Sequence, residues 1–187
     1  MTGVFVYGSL ACAAALSAVL GRPAREGDDN VRATLPGWRR QWNVGTDNAT
    51  SRAVRYHRPG DRSRPAIHVL FLNIARAGDP AATVTGLVLR AGPPHLAALD
   101  AREGNYDRIP VTIPGSGEVW TYTGRPDRVA GAEEAIRRGT ARIRREYLDT
   151  VQAAFAGDAG MTAELRESLT PPPAPVEPLT RVVTGAA

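Results

Sequence analysis

The sequence contains no lysine; its 23 basic residues are all arginine. That absence excludes chemistry built on a lysine amine: Schiff bases, a P-loop lysine and a Ser-Lys dyad. Taken with the many alanines, it reads as a genomic codon bias, so the net charge of +4 says little about nucleic acid. Cysteine is almost missing as well. Cys12 stands alone, which rules out an intramolecular disulfide and a cysteine-rich zinc site and fits a reducing cytoplasm. Long apolar runs are also lacking. Val4 to Leu20 carries no charge, but Tyr7-Gly8-Ser9 interrupts it and no arginine precedes Arg22. A secretory signal needs a positive start, and a membrane span needs about 20 apolar residues. We therefore expect a cytoplasmic chain that does not engage a membrane. His57, His68 and His95 have no metal-ligand spacing, so no metal is expected.

What is present suits a globular fold. Of 187 residues, 43% are hydrophobic and 22% charged, the composition of a chain that buries a core without staples. The length points to one domain over residues 1–170. A proline-rich tail over 171–187 opens at Thr170-Pro171-Pro172-Pro173 and is expected to be extended and mobile at its end.

Val4-Phe5-Val6-Tyr7 is β-branched and aromatic, hence a strand. Gly8-Ser9 turns the chain, and Ser9 is placed to cap the helix that follows. In that helix Cys12, Leu16, Val19 and Leu20 form one stripe, with Cys12 a packing residue, and Gly21 ends it. Val31 to Val44 is extended around Leu35-Pro36-Gly37. Further strands are expected at Ala53–His57, at Ile67–Ile74, which is apolar on both faces, and at Thr83–Arg90. In the last of these, Gly86 marks a bulge or a close backbone approach. A helix runs from Pro93 to Arg102, and Gly104 closes it. Ile109–Ile113, with Pro110 at an edge or bulge, and Glu118–Thr123 are the last strands. The seven- and four-residue spacing of Ile136, Ile143, Tyr147, Val151 and Phe155 predicts one long helix from Gly131 to Phe155. About seven short strands that do not alternate with helices predict an α+β fold, a small, mixed, mostly antiparallel β-barrel with flanking helices.

Glu103 is the most informative residue. Leu96, Leu99 and Glu103 share a helix face, so a carboxylate lies among inward-facing leucines at a helix C-terminus. Burial and the helix dipole both raise its pKa there, as for a general base at a pocket. The plain alternative is a glutamate at a frayed helix end, paired with Arg102 or Arg108. Tyr7-Gly8-Ser9-Leu10 is the second feature. A strand entering a helix through a glycine turn presents free N–H groups that can hold carboxylate or phosphate oxygens. An ordinary strand-helix turn explains those four residues equally well. The arginines between Arg137 and Arg145 are interleaved with apolar positions at regular spacing and read as a solvated face. No nucleic-acid partner is expected from them.

VFVYGSL at the N-terminus, LPGWRRQWNVGTDN at 35–48, LDAREGNYDRIPVTI at 99–113 and VWTYTGRP at 119–126 occur in that order. Together they resemble the γ-glutamylcyclotransferase-like superfamily, in particular its small bacterial members, through the REYLDTV segment of the last helix. The resemblance implies a small mixed barrel with a pocket at one end. It implies that Tyr7, Gly8, Ser9 and Leu10 hold a glutamyl group, that Glu103 is catalytic and that Tyr106 lines the pocket. The implied reaction needs no metal or cofactor: it releases 5-oxoproline and a free amine from a γ-glutamyl amide. Only two residues separate Glu103 from Tyr106, fewer than in better-known members, so the leaving-group side is expected to differ. Asp47, Asn48, Arg52, Asn105 and Arg108 are candidates for that side. Two other readings stand: a γ-glutamylamine cyclotransferase of a biosynthetic pathway, and a non-catalytic module that binds an acidic metabolite. The expected partner is a small γ-glutamyl substrate, and the chain a monomer or homodimer.

Overall fold

In the computed structural model, which describes residues 1–184, the first strand sets the plan. Strand β1 (Thr2–Val6) alternates its side chains between two cores. Val4 and Val6 pack with Leu16 and Leu20 of helix α1 (Ala13–Leu20) and Leu99 of α2 (Pro93–Arg102). Phe5 faces the other way and packs with Trp38, Ile74, Val84 and Val119 between two sheets. This period-2 alternation is what a strand buried on both faces requires.

The larger sheet has five strands in the order β2 (Asn30–Pro36), β6 (Thr83–Ala91), β1, β8 (Gly117–Gly124), β7 (Tyr106–Ile113). β1 runs antiparallel to β6 and parallel to β8. The four-stranded sheet has the order β10 (Val176–Glu177), β9 (Ala141–Arg144), β5 (His68–Arg76), β3 (Trp38–Asp47). A two-stranded sheet joins β4 (Val54–His57) to β11 (Thr180–Val183). Helices α3 (Pro126–Arg137), α4 (Arg145–Phe155) and α5 (Ala159–Ser168) cover the four-stranded sheet. Ala132, Ala135, Leu148, Val151, Phe155 and Leu165 lie there against Trp42, Leu70 and Leu72.

The fold is therefore α+β with mixed, mostly antiparallel sheets, but the barrel is not found: the ladders of the described residues form three sheets. The five-stranded ladder stops at β2 and β7. Pro110 sits on β7, and lacking an N–H it suits an edge. The long helix expected from Gly131 to Phe155 is also corrected. Gly139 adopts the left-handed region at φ +70° and ends α3. Ala141–Arg144 then lies parallel to β5 as a strand before α4 begins. Ile143 is fully buried in that sheet, so its apolar character served a strand that the heptad spacing concealed.

Ser9 does not cap α1. Residues Ser9–Ala11 form a single 3₁₀ turn, and the cap is Cys12, whose Sγ accepts from the Ala15 N–H at 3.4 Å. The packing role expected of Cys12 gives way to this. Gly104 does not adopt a left-handed turn; Glu103 itself is the residue at the end of α2. The proline-rich stretch is extended but not loose. Ala174 and Leu179 are buried, β10 pairs with β9, and β11 pairs with β4. The last residues of the tail lie outside the described residues.

Candidate active site

The end of β1 leads directly into the site. Tyr7 is buried beyond the strand, and its hydroxyl donates to the Tyr122 carbonyl at 2.7 Å. The backbone then turns at Gly8, whose carbonyl accepts from the Ala11 N–H at 2.9 Å to close the 3₁₀ turn. As the first residues of that turn, Ser9 and Leu10 have N–H groups with no carbonyl of the turn to meet. The Tyr7 carbonyl accepts from the Arg40 guanidinium, which also donates to the Thr85 carbonyl and pairs with Glu164 through Nε at 3.1 Å. The Arg40 side chain is 1% exposed and stacks over the Phe155 ring at 4.7 Å. A buried arginine thus ties the turn to β6 and α5.

Glu103 arrives from the opposite side. Its N–H donates to the Leu99 carbonyl at 2.9 Å, and its carbonyl accepts from the Tyr106 N–H at 2.8 Å. The second bond closes a tight turn between α2 and β7, which is why Glu103 and Tyr106, three apart, face one pocket. The pocket wall is Phe5 to Leu10, Leu72, Glu103, Tyr106, Tyr122 and Tyr147. The Glu103 side chain is 17% exposed, and Oε1 lies 3.1 Å from Arg102 Nε. Both readings of Glu103 thus coexist. It is paired, with Arg102, whereas Arg108 pairs with Asp100 at 3.3 Å; and it lines a pocket.

Burial raises the Glu103 pKa above the usual glutamate value, and Arg102 opposes part of that rise. The tyrosines remain protonated. Burial and the nearby Glu103 carboxylate hold Tyr7 well above its ordinary value. Burial, with Tyr147 and Tyr7 close by, does the same for Tyr106, whose hydroxyl donates to the Leu72 carbonyl at 2.8 Å. Tyr122 is raised by burial and by donating to Asp100 Oδ1 at 2.7 Å. Tyr147 is pushed up to about 12 by burial and Glu103. Four of the five tyrosines of the sequence therefore converge as neutral groups around one carboxyl.

The structure brings Tyr7, Gly8, Ser9, Leu10, Glu103 and Tyr106 to this pocket and leaves the other candidates outside it. Asn48 is fully buried and bonds the Tyr56 backbone and the Pro65 carbonyl. Asp47 caps the turn at Ala49 and Thr50. Asn105 donates to Thr46 Oγ1 at 3.1 Å. Arg108, besides pairing with Asp100, stacks on Trp120, and the Arg52 carbonyl accepts from Thr184. Tyr147, which the spacing places on an apolar helix face, lies at both core and pocket, edge-on to Trp42 and Phe71. Arg40 and Tyr122 were missed. Tyr122 lies in a motif already singled out, VWTYTGRP, but nothing in the sequence distinguishes a buried Arg40 from its neighbour Arg39.

The profile of the family described as "Gamma-glutamyl cyclotransferase, AIG2-like" matches residues 4–140, a span that holds every pocket residue except Tyr147. The chain belongs to this family. Solved structures share the fold of this AIG2-like γ-glutamyl cyclotransferase family member. YkqA from Bacillus subtilis is 15% identical with a TM-score of 0.59; the match covers 92% of this chain and 55% of YkqA, so the chain spans little more than half of that protein. A structure titled γ-glutamyl cyclotransferase is 15% identical with a TM-score of 0.52, covering 88% of this chain and 86% of the other. A yeast γ-glutamyl cyclotransferase specific to glutathione is 15% identical with a TM-score of 0.52, covering 92% and 98%. No curated protein matches the sequence significantly. Among the described residues, no helix is long and apolar enough to cross a membrane.

Proposed function

We propose that the protein is a cofactor-independent γ-glutamyl cyclotransferase that releases 5-oxoproline and a free amine from a γ-glutamyl amide. The observation that carries this reading is the lone carboxyl of Glu103, held in a pocket whose other polar side chains are neutral hydroxyls. Family membership supports the same reaction class.

The chemistry needs little else. The substrate's α-amine attacks its own γ-carbonyl carbon and closes a five-membered lactam. Nucleophile and electrophile share one molecule, so the main task is to hold a folded conformer. The α-ammonium must first lose a proton, and Glu103 accepts it. The new C–N bond forms, the old amide C–N bond breaks as the leaving nitrogen takes that proton back from the Glu103 carboxyl, and the second proton shed by the ring nitrogen passes through the same carboxylate to the released amine, which departs as an ammonium. A raised pKa suits a group that both takes and returns a proton near neutrality. The N–H groups of Gly8, Ser9 and Leu10 hold the α-carboxylate and so aim the amine. Tyr7 and Tyr106 form the wall against the glutamyl chain.

The test is 5-oxoproline release, followed by mass spectrometry, from γ-glutamyl amino acids, glutathione, γ-glutamyl alkylamines and ε-(γ-glutamyl)lysine. Glu103→Gln should keep the fold and lose about 10²-fold or more in rate. A fully active Glu103→Gln overturns the mechanism. No release from any substrate by folded protein favours the binding module instead.

A further inference from the structure

The leaving group has to sit beside the carboxyl that protonates it, and one side chain in contact with that carboxyl has unused donors. Arg102 Nε is 3.1 Å from Glu103 Oε1, and the arginine side chain is 40% exposed. Glu103 is its one ion partner among the described residues, and its two η nitrogens donate to no protein acceptor there. A guanidinium carries five N–H donors, so four remain for a ligand. The neighbouring cations are occupied: Arg108 by Asp100 and Trp120, Arg125 by Asp127.

We infer that Arg102 is the specificity residue on the leaving-group side, binding the α-carboxylate of an amino acid released as the amine. This rests on the cyclotransferase reading. The proton goes from Glu103 to the leaving nitrogen, so that nitrogen lies within hydrogen-bond reach of Glu103. In an α-amino acid the carboxyl carbon is two bonds from the nitrogen, about 2.5 Å away. Within the planar guanidinium the Arg102 η nitrogens are two bonds from Nε, a similar span. A carboxylate there meets two parallel donors, the geometry in which arginine binds carboxylates best. An alkylamine places nothing at that position. A lysine released from its ε-nitrogen carries its carboxylate four carbons further from that nitrogen, beyond that reach. Without Arg102, an anionic leaving group would face Glu103 with no compensating charge.

γ-Glutamylalanine and γ-glutamylethylamine test this, because ethylamine is alanine without its carboxylate. The wild type should favour the alanine compound in kcat/KM by about 10-fold or more, the scale of a hydrogen bond to a charged group. Arg102→Met, which keeps the stem, should bring the ratio close to one, and Arg102→Lys should retain part of it. The ratio cancels any change that Arg102 makes in Glu103 itself, since both substrates use the same base. A wild-type ratio near one, or a ratio unchanged in Arg102→Met, overturns the proposal while leaving the reaction class intact. If neither compound releases 5-oxoproline, the reaction class is judged on the full substrate panel. The ratio of dissociation constants for the same two compounds, measured by calorimetry on both proteins, then judges Arg102 by the same criterion.

Discussion

Gly86 offers a direct test of how β1 and its turn are held. It lies in β6, hydrogen-bonded between β2 and β1. A Cβ added there would sit 2.5 Å from the Val6 carbonyl oxygen and 2.7 Å from Phe5 Cζ. The first is backbone in the middle of a sheet, and the second belongs to a ring with no exposed surface. Neither can give way cheaply. Overpacking of this kind costs about 1–3 kcal/mol. Alanine returns about 0.5–1 kcal/mol by restricting the unfolded chain. The net expectation is a loss of about 1–2 kcal/mol for Gly86→Ala. In a chain of this size, that lowers Tm by roughly 2–8 °C. Urea unfolding gives the free energy, and an unchanged m-value shows that the shift in midpoint is a change in stability. Gly78→Ala is the control: nothing lies within 4 Å of its added Cβ and its φ is ordinary, so it should be neutral or stabilise by up to about 1 kcal/mol. A Gly86→Ala protein as stable as the wild type would refute the argument. It would mean that β1 slides freely against β6, and that the turn at Gly8 is not fixed from behind.

Three further outcomes follow from the site. Gly8→Val should fold normally, since only Leu72 Cδ2 lies within 4 Å of the added Cβ, at 3.9 Å, yet weaken 5-oxoproline binding by crowding the pocket; calorimetric titration of the variant reads this. Arg40→Met should destabilise by about 3 kcal/mol or more, because it strands Glu164 and two buried carbonyls together; a urea midpoint close to wild type would reject a structural role for Arg40. Glu103→Gln should raise Tm at neutral pH but not at acid pH. The folded-state pKa of Glu103 is raised by burial, so folding favours the protonated form, and stability falls as pH rises from the unfolded pKa through the folded one. The uncharged glutamine avoids that loss, and melting curves across pH 4–8 check the sign; equal shifts at both ends would show that burial does not govern Glu103.

How much of this was readable in the chain depends on the range of the interaction. Local rules placed β1, the turn at Gly37, the edge position of Pro110 and the close approach at Gly86, because each depends on one residue's own backbone or volume. Glu103 was legible for the same reason: its phase against Leu96 and Leu99 is a property of one helix. Gly139 falls inside the helix that the spacing predicts, yet it ends one. Helical spacing cannot see that residues 141–144 gain more by pairing with β5 than by continuing a helix. The tail was read by composition alone. Prolines do predict extension, but Ala174 and Leu179 fill sites supplied by distant strands. Asp47, Asn48 and Asn105 looked like site residues because polar side chains near a motif always do. Their partners are structural: the adjoining turn for Asp47, the Tyr56 and Pro65 backbone for Asn48, and the Thr46 hydroxyl for Asn105.

What no local rule supplies is the environment of the one carboxyl. Tyr7, Tyr106, Tyr122 and Tyr147 come from four separate elements and meet only through the packing of β1, β7 and β8 against α4. Three of their hydroxyls already donate to protein acceptors, at Tyr122, Leu72 and Asp100. Those three protons are therefore tied up, and their pKa values keep them in place at any working pH. Glu103 is left as the pocket carboxyl, held by burial above the usual glutamate range, and Arg102 is the cation set against it. On the proposed reaction, the acid limb of the rate profile then reports Glu103 and should lie above the ordinary glutamate range. Removing Arg102 should move that limb further up for every substrate alike, whereas its effect on substrate choice should depend on the leaving-group carboxylate alone. The two consequences of one arginine are separable, because one is carried by pH and the other by the ratio of two substrates at any single pH.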